Sequence, residues 1–324
     1  MSLAGHRVLV TGAAGLLGHA TVLHAAAEGA DVIACVHRQG LRIPEVRSAR
    51  LDVRDVDAVR ATVLRERPSL VVHAAAIAAP DACEADEDLA LQVNVTAPRV
   101  LAQACASTGA SLVHISSDAV YGEGPAPFTE QSVARGRSVY ARSKLLSEKA
   151  VLEELPAALV LRTNFFGWTG SGGRSLAEFF HSALADGRPV TGFTDVRFTP
   201  LYVRDFVELI GQAVERRLAG IRNLGSATPM SKFGFGRTIA EVFGFEPELV
   251  RPGSRHAAGL RAVRNAELSM DSSRIAGELD VALPTAAQGV ARMFADYQDG
   301  LPATLRAHLL EPDDEGTAHE LQDR

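Results

Sequence analysis

The chain is short of three things, and each shortage removes a class of function. It has three cysteines in 324 residues, Cys35, Cys83 and Cys105, isolated, odd in number and without metal-ligand spacing. That excludes a disulfide framework or a cysteine metal site, and predicts buried thiols in a reducing cytoplasm. No apolar run reaches the ~18 residues of a membrane span, and the N-terminus lacks a signal-peptide pattern. The stretch near 67–80 is too short and is interrupted by Pro80. Positive charge is also short. A net charge of -6 argues against a nucleic-acid surface. Lysine is the rarest basic residue, present only as Lys144, Lys149 and Lys232 among 33 basic side chains. What remains, 47% hydrophobic and 22% charged residues, is ordinary for a soluble globular protein of one large or two modest domains.

The chain opens on a readable unit. His6-Arg-Val-Leu-Val-Thr11 has the apolar content of a short buried strand. Gly12-Ala-Ala-Gly15-Leu16-Leu17-Gly18 follows, then an Ala-rich helix to about Glu28. Strand, glycine turn and helix form the first unit of a dinucleotide-binding fold. Gly12 allows the tight turn, Gly15 admits a pyrophosphate, and Gly18 lets the helix pack on the strand. The helix N-terminus offers free N–H groups and partial positive charge to the phosphates.

Alternation continues beyond that unit. Strands are expected at 6–11, 31–36, 48–52, 69–75, 111–116 and 157–162, and helices at 15–28, 55–66, 87–108, 138–154 and 174–186. That order implies an α/β fold, a Rossmann-type doubly wound parallel sheet with helices on both faces. After about residue 163 the pattern loosens. Gly167 to Gly173 reads as a loop over the site. Residues 188–200, 221–224 and 246–252 read as short strands or loops of a smaller C-terminal lobe, and a helix near 202–218 as packing back on the sheet. The division is therefore 1–165 for the dinucleotide-binding domain, its sheet completed by segments near 202–224, and 166–310 mainly for a substrate-binding lobe. The polar, acidic stretch 311–324 is expected to fray.

The chemistry is signalled by Tyr140-Ala-Arg-Ser-Lys144, preceded 23 residues earlier by Ser117. One helical turn separates Tyr140 from Lys144, so both lie on one face. A free phenol titrates near pH ~10 and is a poor acid or base at neutral pH. An ammonium one turn away is expected to lower that pKa. A hydroxyl from another segment can then hold a substrate oxygen beside the phenol. A lone Tyr-x-x-x-Lys is weak, because such pairs occur on ordinary solvated helices. Here the glycine turn accompanies it.

Together the two motifs resemble the short-chain dehydrogenase/reductase superfamily in its extended form, over roughly residues 5–300. Asp52 and Val53 lie in a segment similar to the family's adenine contact. Val71 to Ala76 resembles the fourth strand, with Ala74, Ala75 and Ala76 under the cofactor. Asn94 sits where the family has a structural asparagine. In Ser116-Ser117-Asp118-Ala119-Val120-Tyr121, the family's hydroxyl residue lies four before the aromatic, which maps to Ser117 rather than Ser116. Sugar-nucleotide 4,6-dehydratases carry Asp-Glu next; Asp118-Ala119 disfavours dehydration, since Ala119 cannot move a proton. Hydroxyl-Asp-x-Val is the pattern of the dTDP-4-dehydrorhamnose reductase-like subfamily. Ala74 to Glu84 and Leu161 to Gly167 are also similar to it.

The resemblance implies an NADPH-dependent ketoreductase acting on a nucleotide-activated deoxysugar. Ser117, Tyr140 and Lys144 would be catalytic. Gly12, Gly15, Leu16, Leu17, Gly18, Thr163 and Phe165 would join Lys144 and Tyr140 around the cofactor. Val36-His37-Arg38-Gln39 offers no carboxylate for a ribose 2′-hydroxyl, and Arg38, helped by His37, can pair with a 2′-phosphate. This favours NADPH over NADH. Asp118 and Asn164 would orient sugar hydroxyls, and Arg174, Arg197 and Arg204 are candidate diphosphate contacts. Two alternatives stay open: a nucleotide-sugar epimerase with tightly bound NAD, and a non-catalytic reductase-like binding subunit. A homodimer is expected through helices 87–108 and 138–154, whose Leu89, Val93, Val100, Leu101, Leu145, Leu146, Val151 and Leu152 spread over more than one face.

Overall fold

Helices follow β1, β3, β4 and β5 and a loop follows β2; each connection carries the chain back, so successive strands run the same way. The computed structural model describes residues 3–122, 124–173, 175–257, 261–263 and 265–311. Seven parallel strands form one sheet: β1 Arg7–Thr11, β2 Asp31–Val36, β3 Arg47–Arg50, β4 Leu70–His73, β5 Ser111–Ile115, β6 Leu159–Thr163 and β7 Gly220–Leu224. Their order is β7-β6-β5-β4-β1-β2-β3. The order reverses between β1 and β4, which leaves a crevice at the carboxyl ends of those strands.

Strand alternation decides which helices cover which face. Val8, Val10, Val32, Ala34 and Val72 pack with α1 (Leu16–Ala27) and α6 (Val203–Glu215). Leu9, Ile33, Val71, Leu112 and Val160 pack with α2 (Val56–Glu66), α3 (Ala97–Thr108) and α4 (Val139–Glu154). Both faces are therefore apolar, and the inner strands β1, β2 and β4 read as near-continuous hydrophobic runs, while the edge strand β3, Arg-Ser-Ala-Arg, is largely exposed. All three cysteines are buried thiols. No helix among the described residues is long and apolar enough to cross a membrane.

The segment near 221–224 is the seventh strand of the main sheet, paired residue for residue with β6, which agrees with a sheet completed near 202–224 and removes the segment from the short strands of the smaller lobe. The expected helix 87–108 is met, with one local departure: between Glu87–Leu91 and α3 it widens into a π-helical turn, Gln92–Thr96. The wide turn places Asn94, buried, against the loop after β4.

The lobe is built from α5 (Leu176–Ala185), α7 (Lys232–Phe243), α8 (Ala286–Gln298), α9 (Leu301–His308) and short strands. Val190–Phe193 pairs in parallel with Val250–Gly253, and Arg197–Phe198 pairs with Met230–Ser231 and Glu267–Leu268. Phe166, Phe180, Phe198, Tyr202 and Phe235 are fully buried and join lobe to sheet through one apolar cluster.

Candidate active site

The glycine turn is shaped by contacts that leave no room for side chains. A Cβ on Gly18 would lie 2.1 Å from the Gly12 carbonyl oxygen, and one on Gly12 (φ +67°) 2.8 Å from the Ala75 backbone. Gly15 caps α1 without a side-chain hydrogen bond, and the first turn, with Leu16 and Leu17, carries no acidic residue. Such an N-terminus suits an anion. Ala74, Ala75 and Ala76 run from the end of β4 past this turn, partly or fully exposed. At the far end of the crevice Thr163 is buried with its Oγ1 unpartnered among the described residues, beside half-buried Phe165.

His37 and Arg38 lie exposed at the end of β2. Arg38 has no ion-pair partner among the described residues. His37 stands 3.4 Å from Asp52, which Arg54 engages at 2.5 Å; Val53 lies between Asp52 and Arg54. The Arg54 hydrogen bond holds the Asp52 carboxyl below its usual range. Asp31 pairs with Arg7 at the opposite end of the strand, out of reach of this loop.

The helix that carries Tyr140 and Lys144 is fixed from several sides. Ser138 caps α4 by accepting a hydrogen bond from the Ala141 N–H, and Glu84 accepts one from the Val139 N–H at 2.8 Å. Asn94 bonds both backbone groups of Ile77 and donates to Ser143 Oγ at 3.0 Å, between Tyr140 and Lys144. It thereby ties the loop after β4 to the helix that carries both residues. Behind them lies a buried polar chain that the sequence motifs did not announce. Glu148, one turn past Lys144, receives Arg162 at 2.6 Å and the Ser116 hydroxyl. Arg162 also donates to Tyr121 and sits over its ring. The two adjacent serines therefore divide: Ser116 faces Glu148, Ser117 faces the cavity. On the other side His114 contacts Ser147, His73 contacts Thr11, and the two rings stack. Burial and the nearby Lys144 charge push both imidazoles down, so both stay neutral.

Ser117, Asp118, Ala119, Tyr140 and Asn164 line one cavity of about 260 Å³. Asp118 is buried, accepting hydrogen bonds from Asn164 at 2.8 Å and Ser117 at 3.1 Å. Burial still pushes its carboxyl up to about 6. Burial pushes the Tyr140 phenol up to about 12, against the Ser117 hydrogen bond, and Asp118 and Cys83 add to the rise. The expected lowering by Lys144 is not met. Lys144 is itself buried and pushed down to about 8. A phenol held this high keeps its proton at neutral pH, so the arrangement can donate a proton to an oxygen placed between Tyr140 and Ser117.

A second cavity of about 600 Å³ is lined by Phe179, Phe180, Val190, Phe193, Lys232 and Ser254, among others. Lys232 lines both cavities, a position sequence reasoning missed. One of three lysines at the start of a lobe helix was the available signal. Arg197 is exposed and lines neither cavity, because the next residue, Phe198, turns into the core. Arg204 is engaged by Asp296. Arg174 lies outside the described residues. Of the residues expected at a dimer surface, Val93, Val100, Leu101 and Val151 are buried in the chain's own core, while Leu146 is exposed.

Residues 6–299 match the family model described as the RmlD substrate binding domain. The chain is 33% identical over 254 residues to a dTDP-4-dehydrorhamnose reductase of Mycobacterium tuberculosis, covering 76% of this chain and 79% of the relative. It is 33% identical over 276 residues to one of Streptomyces griseus, covering 83% and 86%. It is also 30% identical over 260 residues to methionine adenosyltransferase 2 subunit beta of Xenopus tropicalis, covering 78% and 76%. Among solved structures, dTDP-4-dehydrorhamnose reductase of Bacillus anthracis in complex with NADP shares the fold, with a TM-score of 0.80 at 24% identity over 90% of this chain and 99% of that one.

Proposed function

The chain belongs to the family of the RmlD substrate binding domain, and from that premise we infer an NADPH-dependent reductase of a keto group on a nucleotide-activated deoxysugar, dTDP-4-dehydrorhamnose reductase-like. The observation that carries this reading is the cavity where Ser117, Tyr140 and Asp118 meet Ala119. Two hydroxyls converge on one oxygen site, and the position that would need a second acid for dehydration holds a methyl group.

NADPH, when bound, supplies the hydride. The residues present fit it: an uncapped helix N-terminus for the pyrophosphate, the unpartnered Thr163 hydroxyl at the far end of the crevice, and Arg38 for a 2′-phosphate. Tyr140 donates its proton to the substrate carbonyl oxygen as general acid. Ser117 donates a second hydrogen bond to the same oxygen, where negative charge develops. Lys144, one turn from Tyr140 on the same face of α4, would bind the nicotinamide ribose. Asp118 and Asn164, already bonded to each other, orient sugar hydroxyls. The larger cavity receives the nucleotide between Phe179, Phe180 and Phe193, and Lys232 stands where the diphosphate passes from one cavity to the other.

A panel of nucleotide-linked keto sugars, assayed by consumption of NADPH, tests the reading. Turnover on a 4-keto deoxysugar nucleotide supports it. NAD co-purifying with the protein, and no NADPH consumption on any member of the panel, would favour an epimerase. Absence of any turnover would favour the binding-subunit alternative that the methionine adenosyltransferase relative raises. A homodimer in a cytoplasmic setting completes the proposal. It rests on the exposed Leu146 of α4, and a single-chain mass by light scattering at micromolar protein would defeat it.

A further inference from the structure

The family match ends at residue 299, yet the chain continues into the cofactor end of the site. α9 (Leu301–His308) and the two residues after it cross the loop that follows β2. Arg42 N–H donates to the His308 carbonyl at 2.8 Å and Leu310 N–H to the Gly40 carbonyl at 3.1 Å. Leu41 and Leu309 form an antiparallel bridge, and the Gln39 side chain donates to the Leu310 carbonyl. The same segment also meets α1 and the loop after β6. His308 contacts His19 of α1 at 3.1 Å. A Cβ on Gly170, in the loop after β6, would lie 2.6 Å from the Leu305 carbonyl oxygen. Gly40 is similarly close, its Cβ position 3.0 Å from Leu310 Cβ.

Arg38 stands between two tethers. On one side Arg50 of β3 donates to the His37 carbonyl at 2.9 Å. On the other, Gln39 to Arg42 are held by residues 308–310. We propose that residues 301–310 are a strap that positions the His37–Arg38–Gln39 loop and thereby sets the preference for the 2′-phosphate of NADPH over the bare ribose of NADH. The proposal rests on the reading above, in which Arg38 meets that phosphate. The physical reason is preorganisation. A loop already held in its binding geometry loses less freedom when the phosphate arrives, and only the phosphorylated cofactor uses Arg38.

The experiment compares NADPH and NADH affinity in four full-length proteins: wild type, Leu309→Ala/Leu310→Ala, Arg38→Ala, and the triple variant. Leu309 is half-buried and Leu310 exposed, so the pair can be truncated without hollowing the core. A chain ending at Gly300 serves as the more severe version, with thermal unfolding measured for each. The strap predicts that Leu309→Ala/Leu310→Ala weakens NADPH about tenfold and NADH by less than about threefold, as expected when preorganisation is lost. KM for NADPH should rise while kcat holds. In the Arg38→Ala background the leucine substitutions should no longer change the NADPH-to-NADH ratio. An unchanged ratio in Leu309→Ala/Leu310→Ala, while Arg38→Ala lowers it, overturns the strap and leaves the cofactor reading standing. No effect of Arg38→Ala on the ratio overturns the cofactor reading itself.

Discussion

The cofactor edge and the substrate cavities of this molecule are assembled by different means. At the edge, parallel register fixes the neighbours: Thr11 beside His73, His73 beside His114, Ile115 beside Leu161. Ser117 sits just past the end of β5, while Tyr140 and Lys144 lie one turn apart on α4, so backbone geometry sets all three. The cavities have walls from α5, from strands of two to four residues, from the first residue of α7 and from Val263, Asn265 and Leu268. Only tertiary packing brings those together. The contrast implies that chemistry depends on single atoms at the edge, whereas recognition is spread over the lobe.

The sharpest way to break this contrast is Tyr140→Phe, which keeps the ring and removes the proton. Turnover should fall by about two to four orders of magnitude, with NADPH affinity retained by calorimetry. Near-normal turnover would remove Tyr140 from the chemistry. Next in size is the polar chain behind the edge. Arg162→Met strands a buried Glu148 and should cost about 3–5 kcal/mol in urea unfolding. Adding Glu148→Leu should restore much of that loss, since no charge is then left unpaired. If the single and double variants are equally unstable, the pair is not what matters there.

Recognition should respond more gently. Lys232→Ala is expected to raise KM for the nucleotide sugar about tenfold or more, the usual worth of a charged hydrogen bond, with kcat within a few-fold. A fall in kcat at unchanged KM would place Lys232 in the chemistry and erase the distinction between the two regions. The smallest expected effect concerns Asp118. Its folded pKa of about 6 lies above the ordinary 3.8, so the stability it contributes is full below about 3.8 and lost as pH rises through 6. Asp118→Asn should therefore raise stability at pH 7.5, by roughly 1–3 kcal/mol, and the gain should vanish near pH 4. A gain that persists at pH 4 would show that ionisation is not the cause.

Legibility in the sequence follows the same divide. The glycine turn, the strand–helix alternation and Ser117, Tyr140 and Lys144 are local patterns, and the structure gathers them around one crevice. The π-helical turn at Gln92–Thr96 was not legible, because it inserts into an otherwise regular helical pattern. β7 was legible only as part of a segment near 202–224, because Gly220–Leu224 is short and joins the sheet from the far end of the chain. Apolar spacing alone does not tell a residue covering its own sheet from one covering a partner, and Val93, Val100, Leu101 and Val151 are of the first kind. Arg162 and Glu148 belong to different motifs, and only the fold brings them together. The upward shift of Tyr140 also escaped sequence reasoning, because burial is a property of the whole packing and here outweighs the Ser117 hydrogen bond.

The central claim is that hydride and proton arrive at one carbonyl between Ser117 and Tyr140. A single turnover with deuterium-labelled NADPH and a dTDP-linked 4-keto deoxysugar tests it directly. The account predicts one deuterium at the former carbonyl carbon of the sugar, with matched loss of NADPH, and no labelled product from Tyr140→Phe on the same timescale. Loss of NADPH without label in the sugar, or label incorporated equally well by Tyr140→Phe, would contradict it.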